Sequence, residues 1–261
     1  MRIIFVDIDG TLVDCKRGMH QPSVQTINAI KKLQSNGDLV LIVSGRPKCL
    51  LDTHIIELGV DGFILANGGY IEYHNEVVAE NALSEIAVQR IIAYANKANC
   101  PFYLETSKHV YSQLLDSDIH HDYFDDWKVD QALAPYDGLK RSYTAAMMAL
   151  NHNEQVLKEC FEELSDVLDL TRQGELYAYD INVKGLNKGT GIKQFLAYLN
   201  TENLETYAFG DGQNDISMMC TVDHAIGMGN ACQELRPYCE TITEDVLEDG
   251  FAKGLARYQV I

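Results

Sequence analysis

Asp7 and Asp9 stand one residue apart in the run Phe5-Val-Asp-Ile-Asp-Gly-Thr-Leu12, where an apolar stretch from Ile3 to Val6 delivers them into a glycine turn. Side chains along a strand alternate with a period of two, so both carboxylates lean toward one pocket while Ile8 points into the core. Two like charges about 4 Å apart repel by roughly 4 kcal/mol at an effective dielectric near 20. One of them must take a proton, or the pair must share a cation. Both outcomes serve phosphoryl transfer. Asp7 has the character of a nucleophile that attacks phosphorus to make an aspartyl phosphate. Asp9, protonated when substrate arrives, would give its proton to the leaving alkoxide and later take one from water.

Three further segments supply the remaining parts. Ser44, followed by Gly45-Arg46-Pro47, ends an apolar strand and opens an expected helix, so its hydroxyl and the Gly45 amide suit a phosphate held at a helix N-terminus. Arg46 directly follows that loop and would touch the substrate or a second domain, or else form a structural ion pair. Lys188, in Gly185-Leu-Asn-Lys-Gly-Thr-Gly, offsets charge on the nucleophile and on phosphoryl oxygens. Asp211 and Asp215, in Gly210-Asp-Gly-Gln-Asn-Asp, lie one helical turn apart, so both carboxylates can face one Mg²⁺ ion, which favours oxygen ligands. Taken singly, each segment has an ordinary reading: an acidic turn, a Ser-Gly turn, a solvated lysine, an acidic helix start. Their joint occurrence at strand ends and helix starts is what points to metal-assisted phosphoryl chemistry.

The elements that must position these residues follow from hydrophobic periodicity. Ser23 to Ser35 carries Val24, Ile27, Ile30 and Leu33 at helical spacing before the stop at Asn36-Gly37. Leu39 to Val43 is a continuous apolar strand, a helix is expected from Pro47 to about Leu58, and a further strand spans Phe63 to Ala66 before Asn67-Gly68-Gly69. Strands alternating with helices predict a doubly wound parallel sheet, Rossmann-like, with its ligand crevice beyond the carboxyl ends of the strands. Asp7, Ser44 and Asn67 all fall at such ends.

The pattern then changes. Ile71 to Val78 alternates around His74-Asn75 as an antiparallel hairpin. From there the sequence predicts a helix (84–98), two strands (102–112), a helix or loop (117–137), a strand (143–150), a helix (153–164) and two strands (167–171 and 176–182). The parallel rhythm resumes with a helix at Gly189 to Leu199 and strands at Thr206 to Phe209 and His224 to Ile226. The expected division is a core domain in two parts, 1–82 and 185–261, interrupted by an α+β insert at 83–184.

Composition narrows the partners. A formal charge of -17, from 21 basic and 38 acidic residues, argues against a nucleic-acid or anionic-membrane surface. Seven scattered cysteines without a C-x-x-C pair read as reduced thiols, and neither a leader-like N-terminus nor a long apolar run is present, so a cytoplasmic location is expected. His120-His121 with Asp116, Asp118, Asp122, Asp125 and Asp126 reads as an acidic solvated face rather than a second metal site. Met147-Met148, Met218-Met219 and most of the tyrosines between residues 70 and 179 read as packing.

These segments resemble the haloacid dehalogenase superfamily of phosphatases and, within it, the Cof-like sugar-phosphatase group. Residues 5 to 12 are similar to its first motif, 42 to 46 to its second, 185 to 191 to its third and 209 to 215 to its fourth. Ala66-Asn-Gly-Gly, Met228-Gly-Asn-Ala and Glu248-Asp-Gly-Phe extend the likeness from end to end. Asp9 sets the chain apart from the dehalogenases, which lack that acid. The resemblance implies a small phosphorylated metabolite as substrate, sugar phosphates foremost, with Mg²⁺ as cofactor. It also implies Mg²⁺ ligation by Asp7, the Asp9 carbonyl and Asp211, with Asp215 binding directly or through water. Phosphate contacts would come from Ser44, Lys188 and Asn214. The insert corresponds to a cap that closes over the site and selects the leaving group. Lys184 departs from the proline or small residue expected there. Two other readings stand beside hydrolysis: a phosphotransferase or phosphomutase using the same aspartyl phosphate, and a non-catalytic sensor.

Overall fold

The apolar residues Ile3 to Val6 are completely buried in strand β1 (Arg2–Val6), as a strand covered on both faces of a parallel sheet must be. The computed structural model describes residues 1–113, 132–150, 153–172 and 177–261. The chain divides into two units, the first comprising Met1–Gly45, Leu51–Ala79 and Asn187–Ile261, the second Arg46–Leu50 and Glu80–Leu186.

Unit 1 is built on β1, β2 (Leu39–Val43), β3 (Gly62–Leu65), β4 (Tyr70–Tyr73), β5 (Glu76–Glu80), β12 (Glu205–Gly210), β13 (His224–Gly227) and β14 (Thr241–Ile242). Their order is β14-β13-β12-β1-β2-β3-β4-β5. The pairs from β14 to β3 are parallel, and β4 turns back antiparallel to β3. The α/β doubly wound architecture expected from the sequence is therefore present, and β1 lies inside it with Val6 paired to Phe209 on one side and to Ile42 on the other. The hairpin turn at His74 (φ 49°) and Asn75 (φ 65°) has both central residues left-handed, the geometry that matches strand twist.

Helix α1 (Val24–Ser35) is capped by Ser23, whose side chain accepts from the Thr26 amide, and Gly37 follows its end at φ 82°. It buries Thr26, Ala29, Ile30 and Leu33, whereas Val24, assigned to the apolar stripe by spacing alone, is exposed. The helix expected from Pro47 to Leu58 does not form as one piece. A single 3₁₀ turn spans Lys48–Leu50, Asp52 is extended, and α2 covers only Thr53–Ile56. The physical reason lies in packing: Leu50 joins Tyr103, Val110 and Met147 in a core cluster of unit 2, and Cys49 Sγ donates to the Thr106 carbonyl. That contact pulls Arg46–Leu50 out of the core segment in which the sequence placed it.

In unit 2, α3 (Glu85–Ala98) precedes β6 (Phe102–Glu105), β7 (Val110–Ser112), β8 (Leu133–Pro135) and β9 (Ala145–Ala149). Helix α4 (Glu154–Leu164), β10 (Leu168–Arg172) and β11 (Ala178–Val183) complete it. The sheet order is β10-β11-β9-β6-β7-β8, antiparallel except for β7 and β8. One face of this sheet packs against α3 and α4, with Phe102, Leu104, Met148 and Ile181 fully or nearly fully buried. Residues 133–135, expected within a helix or loop, form an edge strand; the histidine and aspartate cluster between 116 and 126 lies outside the described residues.

Unit 1 closes with α5 (Lys188–Leu199), α6 (Ile216–Met219) and α7 (Gly250–Arg257), the last unmarked in the sequence reading, as was β14. Met147, Met148, Met218 and Met219 are buried as expected, and all seven cysteines are free thiols. Among the described residues no helix is long and apolar enough to cross a membrane.

Candidate active site

Strands β12, β1 and β2 run side by side and parallel, so the residues that leave their carboxyl ends emerge together. Asp7 follows β1, its amide continuing the ladder to the Phe209 carbonyl at 3.0 Å. Asp211 follows β12. A side-chain carbon on Gly10 (φ 76°) would stand 2.1 Å from the Asp211 carboxylate, so glycine there lets the Asp9-Gly10 turn and Asp211 meet.

Lys188 is the first residue of α5, held by a capping box in which Asn187 accepts from the Thr190 amide and the Thr190 hydroxyl accepts from the Asn187 amide. Its ammonium is completely buried, donating to Asp215 Oδ1 at 2.6 Å and lying 2.8 Å from Asp7 Oδ1. Gly189 permits this depth of packing, because a side-chain carbon there would come within 2.2 Å of the Ser217 carbonyl. Asp215 is also fully buried: its Oδ2 accepts from the amides of Asp211 and Gly212, both at 2.9 Å. It therefore holds the 211–212 turn with one oxygen and the lysine with the other.

Asp7, Asp211 and Asp215 each offer a carboxylate oxygen within 4.8 Å of the others. Burial, reinforced by Asp215 and Asp211 against the opposing pull of Lys188, pushes the Asp7 carboxyl well above the usual carboxylate range. The same effects, burial first and Asp215 next, push Asp211 up to about 7. Burial acts to lower Lys188, but the carboxylates of Asp215 and Asp7 outweigh it and hold the lysine charged above its ordinary range. Three carboxylates thus lie close together, and the one ammonium beside them pairs with two, Asp7 and Asp215. A hard divalent cation would relieve the excess negative charge, and the all-oxygen donor set is of the type Mg²⁺ prefers.

The other residues singled out in the sequence divide into two groups. Ser44 is 2 % exposed at the end of β2, its amide bonded to the Ile64 carbonyl and its carbonyl to the Asn67 amide. Asp9 is exposed in the turn, where it bridges to Val13. Asn214 is exposed, and its amide oxygen lies 2.8 Å from where a side chain on Gly212 would begin. Arg46 is buried and belongs to unit 2 rather than to the loop at Ser44-Gly45 that precedes it. The helix expected behind Ser44 and Gly45 is reduced to the one 3₁₀ turn at Lys48–Leu50, so little helix dipole acts there.

A family model described as haloacid dehalogenase-like hydrolase matches residues 4–255. The chain belongs to that family. YkrA of Bacillus subtilis (strain 168) is 30% identical over 254 residues, covering 96% of this chain and 95% of that protein. From the same organism, 5-amino-6-(5-phospho-D-ribitylamino)uracil phosphatase YwtE is 26% identical over 285 residues, covering 97% of this chain and 96% of its own length. Among solved structures, the subclass IIB sugar phosphatase BT4131 shares the fold at a TM-score of 0.84, with 24% identity and 100% of both chains covered.

Within this haloacid dehalogenase-like chain, two asparagines carry more of the site than their sequence signal suggested. Asn230 Nδ2 donates to the Gly10 carbonyl at 2.7 Å and approaches Asp211 Oδ2 at 3.4 Å, while its Oδ1 accepts from the Val246 amide. It fastens the turn after β1 to the turn after β12. Asn67 stands against Gly45, with its side-chain amide 3.5 Å from where a side chain there would begin. Ala66 (φ 50°) and Asn67 (φ 52°) are both left-handed, which costs alanine about 1–2 kcal/mol. The short motif Ala66-Asn-Gly-Gly was the available sign, and the Gly after Met228 marked the other.

Proposed function

We propose that this chain is a Mg²⁺-dependent phosphatase that hydrolyses sugar phosphates and related small phosphorylated metabolites through an aspartyl phosphate on Asp7. The observation that carries this reading is the buried contact of Lys188 with both Asp7 and Asp215 beside Asp211. Lys188 orients the Asp7 carboxylate and offsets its charge, which leaves Asp7 placed to attack phosphorus. As the Asp7 oxygen to phosphorus bond forms, the bond to the leaving oxygen breaks and Asp9 gives that oxygen its proton. Asp9 then takes a proton from water as the water attacks phosphorus, and the bond to Asp7 breaks to free phosphate. Ser44, the Gly45 amide, Lys188 and Asn214 hold the phosphoryl oxygens, with Arg46 next along the chain. Asp7, Asp211 and the Asp9 carbonyl would hold Mg²⁺, with Asp215 supporting it; the ion would supply positive charge to the phosphoryl oxygens.

The name of YwtE refers to a phosphate carried on a ribityl chain, which supports a sugar or sugar-alcohol phosphate here. The test is phosphate release from such a substrate with Mg²⁺, with EDTA, and with Asp7→Asn. The reading expects turnover only in the first case, with free phosphate rather than an isomerised phosphate ester as product. Turnover by Asp7→Asn, or indifference to EDTA, would contradict it.

A further inference from the structure

Asn230 belongs to the loop that follows β13, and the backbone of that loop is tied to the turn after β12. The Met228 amide donates to the Gly210 carbonyl at 3.0 Å, and the Cys232 amide donates to the Asp211 carbonyl at 2.9 Å. The loop also rests on the segment after β14. There the Gly229 amide donates to the Glu244 carbonyl, and a side-chain carbon on Gly229 would come within 2.5 Å of the Asp245 nitrogen. From this base the Asn230 side chain crosses to the turn after β1, its Nδ2 donating to the Gly10 carbonyl at 2.7 Å while its Oδ1 accepts from the Val246 amide at 3.0 Å. A backbone N–H can meet only the oxygen of a side-chain amide, and a carbonyl only its nitrogen, so these two partners fix which way Asn230 faces. Arg236 braces it on both sides, with Nε donating to the Ala231 carbonyl at 3.1 Å and Nη2 to the Gly229 carbonyl at 2.8 Å.

We propose that Asn230, braced by Arg236, is a positioning residue that sets where the Asp9 carbonyl stands relative to the Asp211 carboxylate, and through that the affinity for Mg²⁺. The proposal rests on the phosphatase reading, in which those two oxygens hold the ion, and adds to it a residue outside the ligand set. The Gly10 amide donates to the Val13 carbonyl at 2.7 Å, and across a planar trans peptide the Asp9 carbonyl points the opposite way. Gly10 is therefore held at its nitrogen by Val13 and at its carbonyl by Asn230, so the Asp9-Gly10 peptide has little freedom to turn. The longer approach of Asn230 Nδ2 to Asp211 Oδ2, 3.4 Å, brings the same side chain against the second turn. Mg²⁺ demands near-octahedral oxygens at about 2.1 Å, so a small drift of one turn against the other costs affinity. Asn230→Ala keeps the backbone bonds of Met228 and Cys232, which hold the loop in place, and releases only the turn after β1.

The experiment titrates the full chain, without substrate, with Mn²⁺ as an oxygen-seeking stand-in for Mg²⁺, counting the free ion by electron paramagnetic resonance. Turnover of p-nitrophenyl phosphate is followed in parallel against Mg²⁺ concentration. Asn230→Ala should bind Mn²⁺ at least about tenfold more weakly than the native chain. Its turnover should fall by a similar factor at limiting Mg²⁺ and return to within about threefold of native at saturating Mg²⁺. Arg236→Met should weaken Mn²⁺ binding by about two- to threefold, and combining it with Asn230→Ala should add no further loss, because it acts through the same side chain. Native Mn²⁺ affinity in Asn230→Ala would overturn the proposal. So would a loss of turnover that excess Mg²⁺ does not recover, which is the mark of a purely structural role, or losses that add in the double variant. Should Asn230→Ala fail to fold, Arg236→Met decides alone, with native Mn²⁺ affinity overturning the proposal. A native chain that binds no Mn²⁺ would instead overturn the metal-dependent reading beneath it.

Discussion

The two units differ in how their buried polar groups are paired, although in unit 1 the Thr11 hydroxyl is also buried with no hydrogen-bond partner among the described residues. In unit 1 Lys188 is shared by Asp7 and Asp215, Asp215 holds the amides of Asp211 and Gly212, and Asn230 ties Gly10 to the loop at Val246. In unit 2 Ser112 Oγ and Asn182 Oδ1 are buried with no hydrogen-bond partner among the described residues, and burial, aided by Asp180, pushes the Glu105 carboxyl up to about 8. A buried network that satisfies itself is rigid and poised, which suits bond making.

Breaking the satisfied network should produce the largest effects. Lys188→Ala leaves two buried carboxylates without their cation, so it is expected to abolish turnover and to lower stability by about 3–5 kcal/mol in urea unfolding. A variant of native stability would show the ion pairs to be energetically idle. Asp9→Asn removes the proton donor but touches none of those contacts. It should slow a sugar phosphate by about 10²–10⁴-fold at unchanged stability, and p-nitrophenyl phosphate, whose leaving group needs no proton, by much less in the first step. Equal losses on both esters would remove Asp9 from that role.

Glu105, buried in unit 2, gives a smaller, pH-dependent signature. Glu105 has a folded value near 8 against an unfolded value in the ordinary glutamate range. Between those values the native state keeps a proton that the unfolded chain releases, so stability falls as pH rises through the window and levels off above about 8. Glu105→Gln removes that slope, a gain on the order of a few kcal/mol at pH 9 that vanishes near pH 4. Urea midpoints of both proteins across this range test it; parallel curves would mean that Glu105 is solvated or paired.

Much of unit 1 was legible because its signals are local. Apolar strands ending in Asp7, Ser44 and Asp211 and the glycines beside them announce a parallel sheet with a polar crevice, and Lys188 was marked by Gly185 and Gly189 around it. The double role of Asp215 was not legible, since it depends on the 211–212 amides folding back over its carboxylate. Nor was the break after Leu50, whose apolar side chain fits a helix by spacing but is claimed by Tyr103 far along the chain. The polar face of unit 2 was hidden for a related reason. Glu105, Ser112 and Asn182 sit on strands that become neighbours only through the order β11-β9-β6-β7.

The central claim is that the buried network exists to present Asp7 to phosphorus, and rapid acid quenching during turnover tests it directly. Peptide mapping of the quenched protein should locate a phosphoryl group on Asp7, present with substrate and Mg²⁺ and absent from Asp7→Asn. Turnover with no phosphorylated peptide covering residues 5 to 12, or with the phosphoryl group on another residue, would contradict the account.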